Sequence, residues 1–142
     1  MATEHLRISA DVFARMLASC RDAAPAEAVG VLGGDDAGGA IMHVPLPNRA
    51  PLGAFWADPR AQFVAERLLG ERHLELIAIY HSHPGGGPTL SIADIAFASR
   101  RSAVQVVVPV GLNRQRVHSP RAYRVSGGLA IRIPLEIGPP GV

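Results

Sequence analysis

Two histidines one residue apart, His81 and His83, are followed by Ser91 and Asp94 in the spacing His-x-His-x10-Asp. Imidazole and carboxylate are both zinc ligands, and three of them leave one tetrahedral position open. Structural zinc is usually closed by four protein ligands, whereas catalytic zinc keeps a water in the fourth position and lowers its pKa to about 7. The spacing therefore points to hydrolysis by an activated water, with His81, His83 and Asp94 holding one Zn2+.

Such ligands must be positioned by defined elements. The run Leu74 to Tyr80 is short, apolar and partly β-branched, which predicts a buried strand leading into His81. Side chains two apart on a strand share a face, so both imidazoles can face one ion. Pro84 cannot continue a sheet ladder and is expected to end the strand just beyond the histidines. Gly85-Gly86-Gly87-Pro88 then turns the chain, and Ser91 caps a helix whose first turn carries Asp94 back toward the histidines.

Each piece also has an ordinary reading. His-x-His recurs on strands that bind no metal, Ser-x-x-Asp is close to a capping box in which Asp94 only satisfies a backbone donor, and three glycines can be a plain turn. No Gly-Lys-Ser/Thr follows them, so a phosphate loop has no support. A strand ending at the histidines together with a helix starting at the serine is much harder to reach by chance.

His81-Ser82-His83, seven residues, Ser91, two residues and Asp94 resemble the JAMM motif of the MPN-domain metallopeptidases, Glu…His-Ser/Thr-His-x7-Ser-x-x-Asp. Glu27, just before Ala28-Val29-Gly30-Val31-Leu32-Gly33-Gly34, fits the upstream glutamate of that pattern. Weaker similarity to the small bacterial branch runs through Phe55-Trp56-Ala57-Asp58-Pro59 and Arg121-Ala122-Tyr123-Arg124-Val125. The resemblance implies an α/β domain with a mixed, curved sheet flanked by helices, and one zinc ion. It also implies hydrolysis of the amide bond after the C-terminal Gly-Gly of a ubiquitin-like or sulfur-carrier protein. The long insertions and extra Cys/His ligands of the eukaryotic enzymes that read polyubiquitin linkage are missing.

The roles follow from the chemistry of amide hydrolysis. Glu27 would accept a proton from the nucleophilic water and pass it to the leaving amine, a function typically worth about 10²–10⁴-fold in rate. Ser91 would donate a hydrogen bond to the carbonyl oxygen as charge develops there, since one hydroxyl can cap a helix and still donate. Other acids precede the histidines. Glu66 and Glu71 belong to a helix that also carries Phe63, Val64, Leu68 and Leu69 and are expected on its solvated face, while Glu75 starts the histidine strand. Glu27 could itself be no more than an exposed acid at a strand start.

The 142 residues suit one domain, expected over 1–137 with a disordered tail at 138–142, and long enough to bury roughly two-thirds of the unfolded surface without disulfides. The lone Cys20 is expected in the core of the first helix and excludes a disulfide framework, which suits a reducing cytoplasm. The first residues lack the apolar core of a signal peptide, and no apolar run approaches the ~18 residues of a membrane span. Net charge is +2, and every basic residue is arginine. That leaves no lysine to be modified, although a GC-rich genome would produce the same composition.

Further elements are legible. Ser9 is placed as the cap of a helix through Cys20, with Val12, Phe13, Met16 and Leu17 inward. Strands are predicted over 28–32, 40–46 and 104–110, with a hairpin formed by 121–125 and 129–133. The Pro- and Gly-rich loop from Pro47 to Trp56 is expected to be mobile, with Trp56 either packed or lining a substrate groove. Arg114, Arg116, Arg121 and Arg124, with His118, form a basic stretch that would meet an acidic protein surface or a substrate carboxylate, or would keep an edge strand solvated. Sparse aromatics argue against nucleic acid as a partner.

Two other classes stay open. Pro84 to Ser91 also resembles the metal loop of RadC-type proteins linked to DNA repair, although their His-Asn-His is His-Ser-His here. An MPN domain can also serve as an interaction scaffold without metal, against which stands the presence of every motif residue.

Overall fold

The computed structural model describes residues 4–35, 39–48, 58–98, 103–111, 117 and 119–138. A short strand, β1 (Leu6–Ser9), runs directly into helix α1 (Ala10–Ala23). Strands β2 (Val29–Asp35) and β3 (Gly39–Leu46) follow, then helix α2 (Pro59–Glu71), strand β4 (Glu75–Pro84) and helix α3 (Ile92–Ala98). Strands β5 (Val104–Val110), β6 (Arg121–Ser126), β7 (Leu129–Ile133) and β8 (Leu135–Gly138) complete the chain.

The helices begin where local chemistry supplies a cap. Ser9, with extended backbone, accepts from the Val12 N–H at 3.3 Å, and Asp58 accepts from the Arg60 N–H at 3.0 Å. Pro59 takes the first position of α2, where its missing N–H goes unused anyway.

The eight described strands form one mixed sheet in the order β7-β6-β5-β4-β2-β3-β1-β8. β2 runs antiparallel to both β3 and β4, while β4 and β5 are parallel, with α3 in the crossover between them. β7 and β8 stand at opposite ends of this order, yet only Pro134 separates them in sequence. The sheet must therefore curl until its ends approach each other, and the Leu6 N–H donates to the Pro134 carbonyl at 2.9 Å along that closure.

Helix α1 packs on one face of the sheet and α2 on the other. Val12, Met16 and Cys20 of α1 pack on Leu32, Ala78, Tyr80, Val106 and Val108, with Phe13 and Leu17 partly buried beside them. Ala65 and Leu69 of α2 pack on Val29, Val31, Leu46 and Ile79. This second seam is narrow. Leu69 sits so close to Gly33 that a Cβ there would lie 2.2 Å from its side chain. Of the four large apolar positions on α2 only Leu69 is buried; Phe63 and Val64 are 60% and 62% exposed, on the solvated side with Glu66 and Glu71.

Several boundaries differ from the sequence expectation. α1 runs on to Ala23, and β2 starts at Val29 and extends to Asp35 because both neighbouring ladders continue alongside it. Pro84 is the last residue of β4 rather than the one after it. β1 and β8, each of four residues, were not expected, and Gly138 closes β8 instead of opening a disordered tail. The rest of that tail, most of the Pro47 to Trp56 loop, and Arg114, Arg116 and His118 lie outside the described residues.

Candidate active site

Ile79 of β4 packs on the α2 side of the sheet and Tyr80 on the α1 side, so alternation puts His81 and His83 on the α2 side and Ser82 opposite. Val29 of β2 pairs with His81, and Glu27 lies two residues before Val29. Ligand atoms of Glu27, His81 and His83 lie within 4.8 Å of one another. Asp94 enters from the first turn of α3. All the residues expected to hold or serve the metal are thus at one end of β4.

Three of them converge on a point. His81 Nε2 lies 3.0 Å from His83 Nε2 and 3.2 Å from Asp94 Oδ2, and His83 Nε2 lies 3.1 Å from that oxygen. His83 Nδ1 is 2.9 Å from the Gly87 carbonyl. A carbonyl only accepts, so neutral His83 carries its proton on Nδ1 and turns an Nε2 lone pair toward His81 and Asp94. Donor atoms about 2.0–2.1 Å from a tetrahedral zinc stand about 3.3 Å apart. The donor set and its spacing fit a zinc ion.

Ser91 and Asp94 form a reciprocal capping box. The Asp94 N–H donates to Ser91 Oγ at 3.0 Å, and the Ser91 N–H donates to Asp94 Oδ2 at 2.8 Å. The ordinary reading of this pair and the functional one hold together, because the same oxygen that caps the helix faces both histidines. Ser91 is exposed, and with its oxygen accepting from Asp94 its hydroxyl hydrogen is left to donate outward.

Electrostatics follow from this packing. Burial pushes the Glu27 carboxyl up from its ordinary range; Asp94 adds to this and His83 opposes it. Burial would also raise Asp94, but its contacts with His81 and His83 outweigh it and hold the carboxylate well below its usual range. Burial depresses His81 despite its hydrogen bond to Asp94. At His83 burial is overcome by contacts with Asp94 and the Gly87 carbonyl, and the imidazole is raised. The site thus pairs an ionised carboxylate at Asp94 with a carboxyl at Glu27 disposed to hold a proton.

Other residues position these groups without a signal in the sequence. Ser82 Oγ, fully buried, accepts from the Ala28 N–H at 2.7 Å, and Asn48 Nδ2 donates to the Glu27 carbonyl at 2.8 Å. The main chain on both sides of the Glu27 carbonyl carbon is thereby held. The loop from His83 to Ser91 is tied as well: Gly85, at φ +70°, donates to Val110 O at 2.7 Å, and Tyr123 Oη donates to Pro88 O at 2.7 Å. Ser82 stood only as the middle of the motif and Tyr123 only within the stretch 121–125 that resembles the bacterial branch, and nothing in the local sequence marked Asn48.

Known proteins resemble this chain over most of its length. Probable TtuB-protein conjugate cleaving protease of Thermus thermophilus is 40% identical over 78 residues, 55% of this chain and 53% of that protein. CysO-cysteine peptidase of Mycobacterium tuberculosis is 28% identical over 134 residues, 93% of this chain and 90% of that protein. Among solved structures, a Desulfitobacterium hafniense protein aligns with a TM-score of 0.78 at 23% identity, covering 93% of this chain and 92% of that one. A JAB1/MPN domain protein from Archaeoglobus fulgidus aligns at 0.63 and 18% identity, covering 94% and 99%. The family of prokaryotic homologs of the JAB domain matches residues 9–125, which span every residue of the site, and the chain belongs to that family.

Proposed function

We propose that this protein is a zinc peptidase that hydrolyses the amide bond after the C-terminal Gly-Gly of a ubiquitin-like or sulfur-carrier protein. The convergence of His81, His83 and Asp94 at 3.0–3.2 Å, with Glu27 beside them, is the observation that carries this reading. The two relatives named for cleaving such carriers or their conjugates support the substrate class.

His81, His83 and Asp94 would hold one Zn2+, which when bound supplies positive charge that acidifies a water and polarises the scissile carbonyl. Glu27, whose carboxyl is raised by burial, takes the proton released by the attacking water and returns it to the leaving nitrogen. Ser91 directs its hydroxyl hydrogen to the carbonyl oxygen as that oxygen gains charge. Ser82 and Asn48 keep Glu27 in reach throughout. A Gly-Gly tail suits such a site, because glycine lets the backbone pass close to the ligands and an extended tail can add to a sheet edge.

We place this activity in one catalytic domain that includes β8 through Gly138, and in a reducing cytoplasm. No described helix is long and apolar enough to cross a membrane. The test is intact-mass spectrometry of a sulfur carrier extended past its Gly-Gly, incubated with native enzyme and with Glu27→Ala. Loss of the extension with native enzyme alone supports both the peptidase and its base. No loss with zinc-loaded native enzyme sinks the reading and favours the DNA-repair alternative, for which salt-sensitive DNA binding would be measured next.

A further inference from the structure

The strand registers place a cation beside the site that the chemistry above does not use. His81 of β4 pairs with Val107 of β5, and Val107 pairs with Arg121 of β6. Cross-strand partners share a face of the sheet, so Arg121 stands on the same face as His81, two strands away, or about 10 Å at 4.7–4.9 Å per strand. Tyr123, two residues along and on that face too, donates to Pro88 O in the loop between His83 and Ser91. Arg121 therefore lies on the stretch of sheet that this loop borders, nearer the strand ends where the ligands meet.

Its side chain is half-buried, and no hydrogen bond or ion pair joins it to any described residue. The neighbouring Arg124 is different: it faces the other side of the sheet and is paired with Glu4. A half-buried guanidinium that meets no anion among the described residues is poised to take one, and its planar fork matches a carboxylate in two parallel hydrogen bonds.

Resting on the peptidase reading, we propose that Arg121 is a specificity residue that binds the α-carboxylate of the leaving group. The favoured substrate is then a carrier whose Gly-Gly is joined to the amine of a single amino acid with a free carboxyl group. Hydrolysis breaks the C–N bond, the hydroxyl of water goes to the glycine carbonyl, and the proton taken by Glu27 goes to the departing nitrogen. Conjugates through a lysine side chain present no carboxylate at this position and would gain nothing from Arg121.

The test crosses enzyme with substrate: a carrier extended by one amino acid, as free acid and as carboxamide, against native enzyme, Arg121→Gln and Arg132→Gln. A hydrogen bond to a charged group corresponds to about tenfold to a hundredfold. Native enzyme is expected to prefer the free acid by that factor in kcat/KM, mostly through KM, and Arg121→Gln to lose the preference. Arg132 pairs with Tyr123 on the same face but one strand farther out, and its variant should keep the preference. Equal cleavage of acid and amide by native enzyme overturns the assignment, whatever the variants do. Equal loss in both arginine variants also overturns it, in favour of a diffuse positive field. Cleavage of neither form by native enzyme overturns the peptidase reading, and this inference with it.

Discussion

Ser82 and Ala28 are joined in both directions: Ser82 Oγ accepts from the Ala28 N–H at 2.7 Å, and the Ser82 N–H donates to the Ala28 carbonyl at 3.0 Å. Ala28 follows Glu27, and Ser82 lies between His81 and His83. This one pair therefore ties the backbone beside Glu27 to the backbone between His81 and His83, from the side of the sheet facing away from their imidazoles.

Ser82→Ala strands the buried Ala28 N–H at a cost of about 1–3 kcal/mol. We expect denaturant unfolding to show that loss, and kcat to fall by about tenfold or more while zinc content stays near that of the native enzyme. Ser82→Thr should keep most of the rate. A Ser82→Ala enzyme with unchanged kcat would show that the tie has no part in placing Glu27.

Glu27→Gln should lower kcat by about 10²–10⁴-fold. Because burial raises the Glu27 pKa, the folded protein binds more protons here than the unfolded chain between the ordinary and the raised value. Its charge therefore costs stability as pH rises through that window, and the cost is fully present above the raised value. The metal-free Glu27→Gln protein is expected to be more stable than native protein at neutral pH, with the gain vanishing at pH below the ordinary glutamate value. Thermal melts of the two proteins across pH decide this.

Chelation should abolish hydrolysis, and Zn2+ should restore it with about one ion per chain by elemental analysis. Asp94→Ala removes both a ligand oxygen and the acceptor of the Ser91 N–H, so it should lose zinc and also destabilise the start of α3 by about 0.5–2 kcal/mol. Full activity after exhaustive chelation would remove the metal from the reaction.

Gly30→Ala should be costly although it lies on the face of the sheet opposite His81 and His83. A Cβ at Gly30 would stand 2.3 Å from the ring of Tyr80, which is fully buried and 2.7 Å through its hydroxyl from His43 Nε2. Overpacking of this kind costs about 1–3 kcal/mol. Urea unfolding of the variant measures it, and a change below about 0.5 kcal/mol would mean that Tyr80 moves aside freely.

Much of the site could be read from the chain because its parts are local. His81, Ser82 and His83 need only the period of a strand, and Ser91 and Asp94 only the first turn of a helix. Glu27 came through the motif as a whole, since no local pattern connects it to residues on another strand. Arg121 stood in a basic stretch with an open role. Its place in the row of His81 depends on two strand registers, and registers follow from ladder pairing that spacing within a segment does not record. The same limit hid Ser82's bond to Ala28, and it hid β1 and β8, which are too short to show alternation. On α2, four large apolar residues suggested a broad buried face. The sheet accepts only the stripe of Ala65 and Leu69, because Gly33 draws the helix close along one line.

The return of β8 to β1 also bears on how the chain is made. Leu6 to Ser9 pair with Leu135 to Gly138, so β1 waits for a partner strand that leaves the ribosome long after it. Until then one edge of β1 is open, and contacts so distant in sequence form slowly. Glu27, His81, His83 and Asp94 are all synthesised well before that closure. The nascent chain therefore carries these four side chains for a period in which the sheet that aligns them is unfinished.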